Sequence, residues 1–182
     1  MPSILALSGS PSRASRTASL VEHLADRLRG DGHAVRVVRV RDLPAEALLS
    51  ADPTDPAIAE VVAALAEADG VLVASPVYKA AYSGALKALL DLLPQFALTD
   101  KVVLPVLTGG SPAHVLALDY ALRPVLSSLG AHHVVQGWFV LDKHITAGDV
   151  PALAPEAQRP LHDVVDGFSA ALHARRSLLA AP

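Results

Sequence analysis

The chain has no cysteine, so it can build no disulfide framework, no zinc-thiolate centre and no thiol nucleophile. Aromatic residues make up only 4% of its 182 residues, with one Trp and three Tyr, so each ring marks a place worth locating. Charge is scarce as well. Only 18% of residues are charged and the net charge is −3 with the histidines neutral. That leaves no overall basic field for nucleic acid and no strongly acidic surface. No apolar run reaches the roughly 18 residues needed to span a bilayer, and Met1-Pro2-Ser3-Ile4 lacks the charged start of a leader peptide. The expectation is a soluble cytoplasmic protein with neither a membrane nor a nucleic-acid partner.

What is abundant is apolar surface: 52% of the chain is hydrophobic. A chain of this length buries about 70% of its unfolded surface, and the composition suits a sheet covered on both faces. One domain over 1–182 is expected. Short apolar runs at Ile4–Leu7, His33–Val40, Val71–Ser75, Lys101–Leu107 and Ala131–Val140 read as five strands. Helical patterns separate them at about Thr17–Arg29, Ala57–Ala66, Ser83–Leu93 and Pro112–Leu129, with a short turn at Ala45–Leu49. Pro124 should kink or split the fourth of these near Tyr120–Arg123. After Leu141 a polar, Pro-containing excursion precedes a last helix from about Pro160 to Leu179. Strands alternating with helices give an α/β, flavodoxin-like three-layer sandwich. Its parallel sheet has the order 2-1-3-4-5, and helices cover both faces.

Open parallel sheets bind ligands at the carboxyl ends of their strands, and three loops there are notable. The first, Ser8-Gly9-Ser10-Pro11-Ser12-Arg13-Ala14-Ser15-Arg16-Thr17, offers hydroxyls, two arginines and a helix N-terminus, with no carboxylate before Glu22. These are the ingredients of a phosphate cradle; they also suit a Ser-rich turn that only caps a helix. The second, Tyr78-Lys79-Ala80-Ala81-Tyr82, places two rings around small residues that let a flat ligand approach. The third, Thr108-Gly109-Gly110-Ser111, can take positive φ and bring backbone N–H groups to a ligand, or can be a plain tight turn.

Other chemistry fits poorly. Of the eight histidines, adjacent His132 and His133 on a strand point to opposite faces and cannot chelate together. No Gly-x-Ser-x-Gly elbow is present, and Pro76 after Ser75 removes the N–H that an oxyanion hole would use.

The run Ser75-Pro76-Val77-Tyr78-Lys79-Ala80-Ala81-Tyr82-Ser83-Gly84-Ala85-Leu86-Lys87 resembles the NAD(P)H-dependent FMN reductases of flavodoxin-like fold. Within them it is similar to the branch that supplies reduced FMN to alkanesulfonate monooxygenases. The likeness extends over residues 3–140, including Gly109-Gly110, Ala113-His114 and Asp119 to Leu126, and is loose after Asp142. It implies hydride transfer from NADPH, or NADH, to FMN, and delivery of reduced FMN to a flavin-dependent monooxygenase that desulfonates organosulfonates. It also implies that Ser8, Ser10, Arg13, Ser15, Arg16 and Thr17 meet the FMN phosphate, and that Pro76, Val77 and Tyr78 line the ring. Thr108, Gly109 and Gly110 would meet its pyrimidine edge; His114, by its place just after the Gly-Gly loop, is a further candidate contact. No side chain is expected to act as acid or base, and no metal is implied. A quinone or azo reductase carrying FMN, a flavodoxin-type electron carrier and a flavin-binding module without turnover share many of these features.

The apolar set Ala113, Val115, Leu116, Leu118, Ala121, Leu122, Val125 and Leu126 is too wide for one sheet-facing side, so part of it should meet another subunit. The resemblance implies a homotetramer, or a dimer, with Tyr120 inserted there as a π-bulge that controls flavin release.

Overall fold

Three strands bury both of their faces, and that fixes the layers. In the computed structural model, which describes residues 1–147 and 152–179, the first half runs β1 (Ser3–Ser8), α1 (Arg16–Gly30), β2 (Ala34–Arg39), α2 (Ala45–Ser50) and α3 (Pro56–Glu67). It continues with β3 (Gly70–Tyr78), β4 (Ala81–Tyr82), α4 (Gly84–Leu90) and β5 (Val102–Gly109). Side chains alternate across a strand, and in β1, β3 and β5 both sets are apolar. Leu5, Leu7, Val71, Val73, Val103 and Leu107 pack with α3 and α4. Ile4, Ala6, Leu72, Ala74, Leu104 and Val106 pack with α1 and the last helix. A parallel sheet without a polar face is stable only when helices shield both sides.

The remainder comprises a π-helical turn (Leu118–Leu122), α5 (Arg123–Ser128), β6 (His133–Val134) and β7 (Trp138–Leu141). A small hairpin of β8 (Ile145–Thr146) and β9 (Ala152–Leu153) and the helix α6 (Pro155–Leu179) follow. The sheet order is β2-β1-β3-β5 with β6 and β7 sharing the last edge, all parallel. The expected 2-1-3-4-5 arrangement is present, with its fifth strand cut in two.

Pro105 explains the cut. Val103 faces Val134 and Val106 faces Trp138, so three steps on β5 match four on the outer strand. The Val103 carbonyl accepts from Val135 at 2.9 Å, so odd-numbered residues of β5 bond outward and the missing N–H of Pro105 falls on this edge. The extra residue is a bulge that absorbs the lost bond. Gly137 occupies the closest approach, because a Cβ there would sit 2.5 Å from the Pro105 carbonyl oxygen.

Two other expectations change. Tyr78 to Tyr82 is no open loop: β3 runs on through Pro76 to Tyr78 and turns back as β4. Pro76 is tolerated because Ala74, two residues earlier on the same side, already bonds to Gly9 at the end of β1, so no ladder donor is needed beyond it. The segment 112–129 is split near Arg123, as Pro124 led one to expect. It is a 3₁₀ turn at Pro112–His114, the π-turn, and then α5 with Pro124 as its second residue. Pro124 leaves a carbonyl in the preceding turn without its N–H, and the Arg123 N–H closes the wide turn on the Leu118 carbonyl.

The last helix starts at Pro155, not Pro160. Pro suits a first helical position, while Pro160 inside the helix costs about 3 kcal/mol. Ala157, Leu161, Val164, Val165, Phe168 and Leu172 are buried along one stripe. Fully burying side chains of the larger kinds among them contributes about 1.5–3 kcal/mol each, which outweighs the proline. Residues 148–151 of the expected polar excursion lie outside the described residues. No helix among the described residues is long and apolar enough to cross a membrane.

Candidate active site

The carboxyl ends of β1, β3 and β5 meet where the chain direction of the sheet reverses, and three loops converge there. The loop after β1 is held from several directions. Gly9 N–H donates to the Ala74 carbonyl at 2.8 Å, tying it to β3. The Ser10 hydroxyl accepts from Ser12 N–H at 3.3 Å. From the β2 side, the Arg41 guanidinium donates to the carbonyls of Ser12 and Arg13. Ser15 caps α1, its hydroxyl accepting from Ala18 N–H at 3.0 Å. A helix start leaves its first N–H groups without intrahelical partners, so those of Arg16 and Thr17 remain for a ligand. No acidic residue lies in this first turn.

One buried contact joins this loop to the third. The Thr17 and Thr108 hydroxyls lie 2.7 Å apart, both fully enclosed, linking the first turn of α1 to the end of β5. The second loop is tied in by serines. Ser75 Oγ donates to the Pro76 carbonyl at 3.0 Å and accepts from Ser83 N–H at 2.8 Å. Ser83 Oγ in turn bonds the Gly9 carbonyl and caps α4 by accepting from Leu86 N–H at 3.1 Å. A Ser75 hydroxyl so engaged is no nucleophile.

The tyrosine hairpin pairs Val77 with Tyr82 and Tyr78 with Ala81. Its two turn residues, Lys79 and Ala80, have φ of 50° and 65°. Two left-handed residues in succession make the tight turn that matches strand twist, a place where Asn-Gly is usual. Neither residue here is glycine, so the turn stores strain of about 1–3 kcal/mol per residue. Tyr78 stays 48% exposed. Burial pushes the Tyr82 phenol above its ordinary range, so that ring stays neutral.

These loops line an open cavity of ≈ 140 Å³. It brings together Ser10, Ser15, Arg16, Thr17, Pro76, Val77, Tyr78, Thr108 and Gly109, all singled out in the sequence. Four other singled-out residues lie outside its lining. Ser8 is 1% exposed at the end of β1, its hydroxyl buried without a hydrogen-bond partner. Arg13 lines a separate concavity of ≈ 670 Å³ on the outer side of α1. Gly110 is exposed just past the strand. His114 ends the 3₁₀ turn, and its Nδ1 is buried without a partner. The glycine pair also works differently from expectation. Among the described glycines only Gly32 and Gly130 have positive φ; Gly109 continues the strand, and a Cβ on it would lie 2.9 Å from the Phe139 ring.

Sequence reasoning missed Ser12, Ala14 and Asp142, which complete the lining. Asp142 follows β7 directly, and the rule that ligands sit beyond strand ends could have flagged it. At one side of the cavity are hydroxyls, free N–H groups and the Arg16 cation, the donor set of a phosphate site. Tyr78, Pro76 and Val77 supply flat apolar surface, and Asp142 supplies an acceptor.

Tyr120 stands apart from the cavity and is 78% exposed within the π-turn, with Leu116 (59%) and Val115 (47%) exposed before it. Leu118 and Leu122 of the same turn are buried against the sheet, so the apolar set divides between core and surface.

The family model for NADPH-dependent FMN reductases matches residues 2–146. An FMN reductase (NADPH) of Pseudomonas putida is 47% identical over 98% of this chain and 92% of its own length. The corresponding enzyme of Escherichia coli is 46% identical over 94% of this chain and 91% of its own. The apo crystal structure of an NADH:FMN oxidoreductase, EMOB, superposes with a TM-score of 0.86 at 45% identity, covering 100% of this chain and 92% of that one.

The threonine contact generates a prediction about how the edge is held. Thr17→Val should destabilise the fold by about 1–3 kcal/mol, because the Thr108 hydroxyl is left buried without a partner. Thr17→Val with Thr108→Val should cost less than the sum of the single changes. Urea unfolding of the four proteins measures this, and strict additivity would show that the contact contributes nothing.

Proposed function

The chain belongs to the NADPH-dependent FMN reductase family, and from that membership we propose that it holds FMN at this edge of the sheet, the ≈ 140 Å³ cavity taking the phosphate end and the ring lying against Tyr78 in the open space beyond. Its activity is that of an NAD(P)H-dependent FMN reductase. The reading of the site rests on one observation: the hydroxyl, N–H and guanidinium donors at the start of α1 share a single cavity with the Tyr78 wall and the end of β5.

The residues fit the group. Ser10, Ser12, Thr17, Arg16 and the first N–H groups of α1 hold a phosphate dianion by charge-assisted bonds. Pro76, Val77 and Tyr78 give the isoalloxazine a flat apolar surface. The end of β5 at Thr108 and Gly109 lies at the pyrimidine edge, where Asp142 can accept an N–H. When bound, FMN supplies the acceptor for a hydride from the nicotinamide. The protein's part is to orient and shield: the small Ala80 and Ala81 leave open space beside Tyr78, where a second flat ring can lie. No side chain in the lining is placed to move a proton.

We extend the proposal to the fate of the product. Reduced FMN leaves for a flavin-dependent monooxygenase that desulfonates organosulfonates, supported by the long motif from Ser75 to Lys87 and by the openness of the site. A second copy of the chain, in a homotetramer or dimer, covers Val115, Leu116 and Tyr120. Tyr120 couples that assembly to flavin release.

Two experiments test these readings. Arg16→Ala should weaken FMN by about 1.5–3 kcal/mol in fluorescence titrations and leave riboflavin almost unchanged; equal losses refute the phosphate assignment. In a coupled assay with an alkanesulfonate monooxygenase, Tyr120→Ala should lower sulfite release and alter flavin retention. Wild-type assembly, retention and transfer in that variant would end the coupling proposal.

A further inference from the structure

Two arginines flank the start of α1, and they serve different cavities. Arg16 lines the ≈ 140 Å³ cavity, whereas Arg13 lines the ≈ 670 Å³ cleft outside it. The two concavities meet at Ala14 and Ser15, which line both. A volume of ≈ 670 Å³ lies within the usual range of ligand sites. Its floor is made of small side chains, Ser15, Ala18 and Ser19, which leave room for a flat base.

The charges around this cleft are already matched except at one place. Glu22 is held by Arg39 at 2.6 Å, and Asp26 by Arg29 at 2.8 Å. Arg41 is engaged with the Ser12 and Arg13 carbonyls and lies 3.5 Å from Asp42. Among the described residues the Arg13 guanidinium has neither a hydrogen bond nor an ion pair, and it is exposed. Of the other described concavities only the ≈ 140 Å³ one has an uncommitted cation, Arg16, which the flavin phosphate would use. Arg123, in a cleft of ≈ 450 Å³, is paired with Asp119 at 3.0 Å. Arg36, beside one of ≈ 260 Å³, is paired with Glu60 at 2.6 Å. The groove of ≈ 410 Å³ along α6 has Asp163 and no cation.

The reaction needs two phosphate-bearing molecules at once, and the inner cavity has donors for one phosphate. We infer that the outer cleft takes the adenosine end of the nicotinamide donor, and that Arg13 binds its 2′-phosphate and so favours NADPH over NADH. A guanidinium forks onto a phosphate monoester with two parallel bonds, and NADH has only a hydroxyl at that position. The inference rests on the reductase reading, and it reassigns Arg13 from the flavin phosphate to the second substrate.

Binding of 2′,5′-ADP to the FMN-loaded protein, followed by calorimetry, tests it without turnover. Wild type should bind the probe, and Arg13→Gln should weaken it at least about tenfold while FMN affinity stays within about twofold. In steady-state assays the same variant should raise KM for NADPH and leave KM for NADH unchanged. Unaltered probe binding overturns the inference, and so do equal rises for the two nucleotides. A loss of FMN affinity with riboflavin spared would return Arg13 to the flavin phosphate and overturn it too. If wild type oxidised neither nucleotide, the reductase reading would fall instead, and that outcome is separate from the probe result.

Discussion

The first turn of α1 must sit over the carboxyl edge of the sheet, and the rest of the site depends on its staying there. A helix start carries unpaired N–H groups and a partial positive charge; placed over strand ends it attracts an anion, placed elsewhere it is only a helix end. Apolar burial of Leu20, Val21, Leu24 and Leu28 against the even-numbered side of the strands sets the helix's height. The Thr17–Thr108 hydroxyl pair sets its position along the edge. Arg41, from the end of β2, holds the preceding loop by its carbonyls. The β1, β2 and β5 ends thus all bear on ten residues of loop and helix start, and the serine relay from Ser75 through Ser83 to Gly9 adds β3.

Against this rigid edge stands one strained element. Lys79 and Ala80 turn through left-handed conformations that glycine or asparagine would take at little cost. The pairing of Tyr78 with Ala81 and the anchoring of Ser83 on Ser75 hold the turn closed. Strained turns persist where surrounding structure over-determines them, and they cluster at ligand clamps. Here the strain keeps Tyr78 upright beside the cavity while leaving only small side chains at Ala80 and Ala81. A donor ring can then approach from the open side.

The sheet order and the helices were legible because buried parallel strands read as short apolar runs and amphipathic helices as a wider period. The three ligand-edge loops were legible because hydroxyls with arginines, paired tyrosines and paired glycines follow strands one, three and four directly. What was not legible depended on geometry between distant residues. The break opposite Pro105 needed knowledge of which side its missing N–H faces. The role of Gly109 lay in Phe139, thirty positions on, and not in its own backbone freedom. Asp142 is unremarkable as a residue and enters the site only because β7 ends beside β5. The two arginines, three positions apart, look equivalent in the sequence; the helix start between them sends them into different cavities.

The central claim is that FMN enters with its phosphate at the start of α1 and its ring against the Tyr78 hairpin. A ¹⁵N–¹H NMR titration of the apo protein with FMN and, separately, with inorganic phosphate tests it most directly. The account predicts that both ligands shift the amides of residues 10 and 12–17, and that only FMN also shifts those of Val77, Tyr78, Thr108 and Gly109. Shifts from either ligand that bypass residues 10–17 would contradict it.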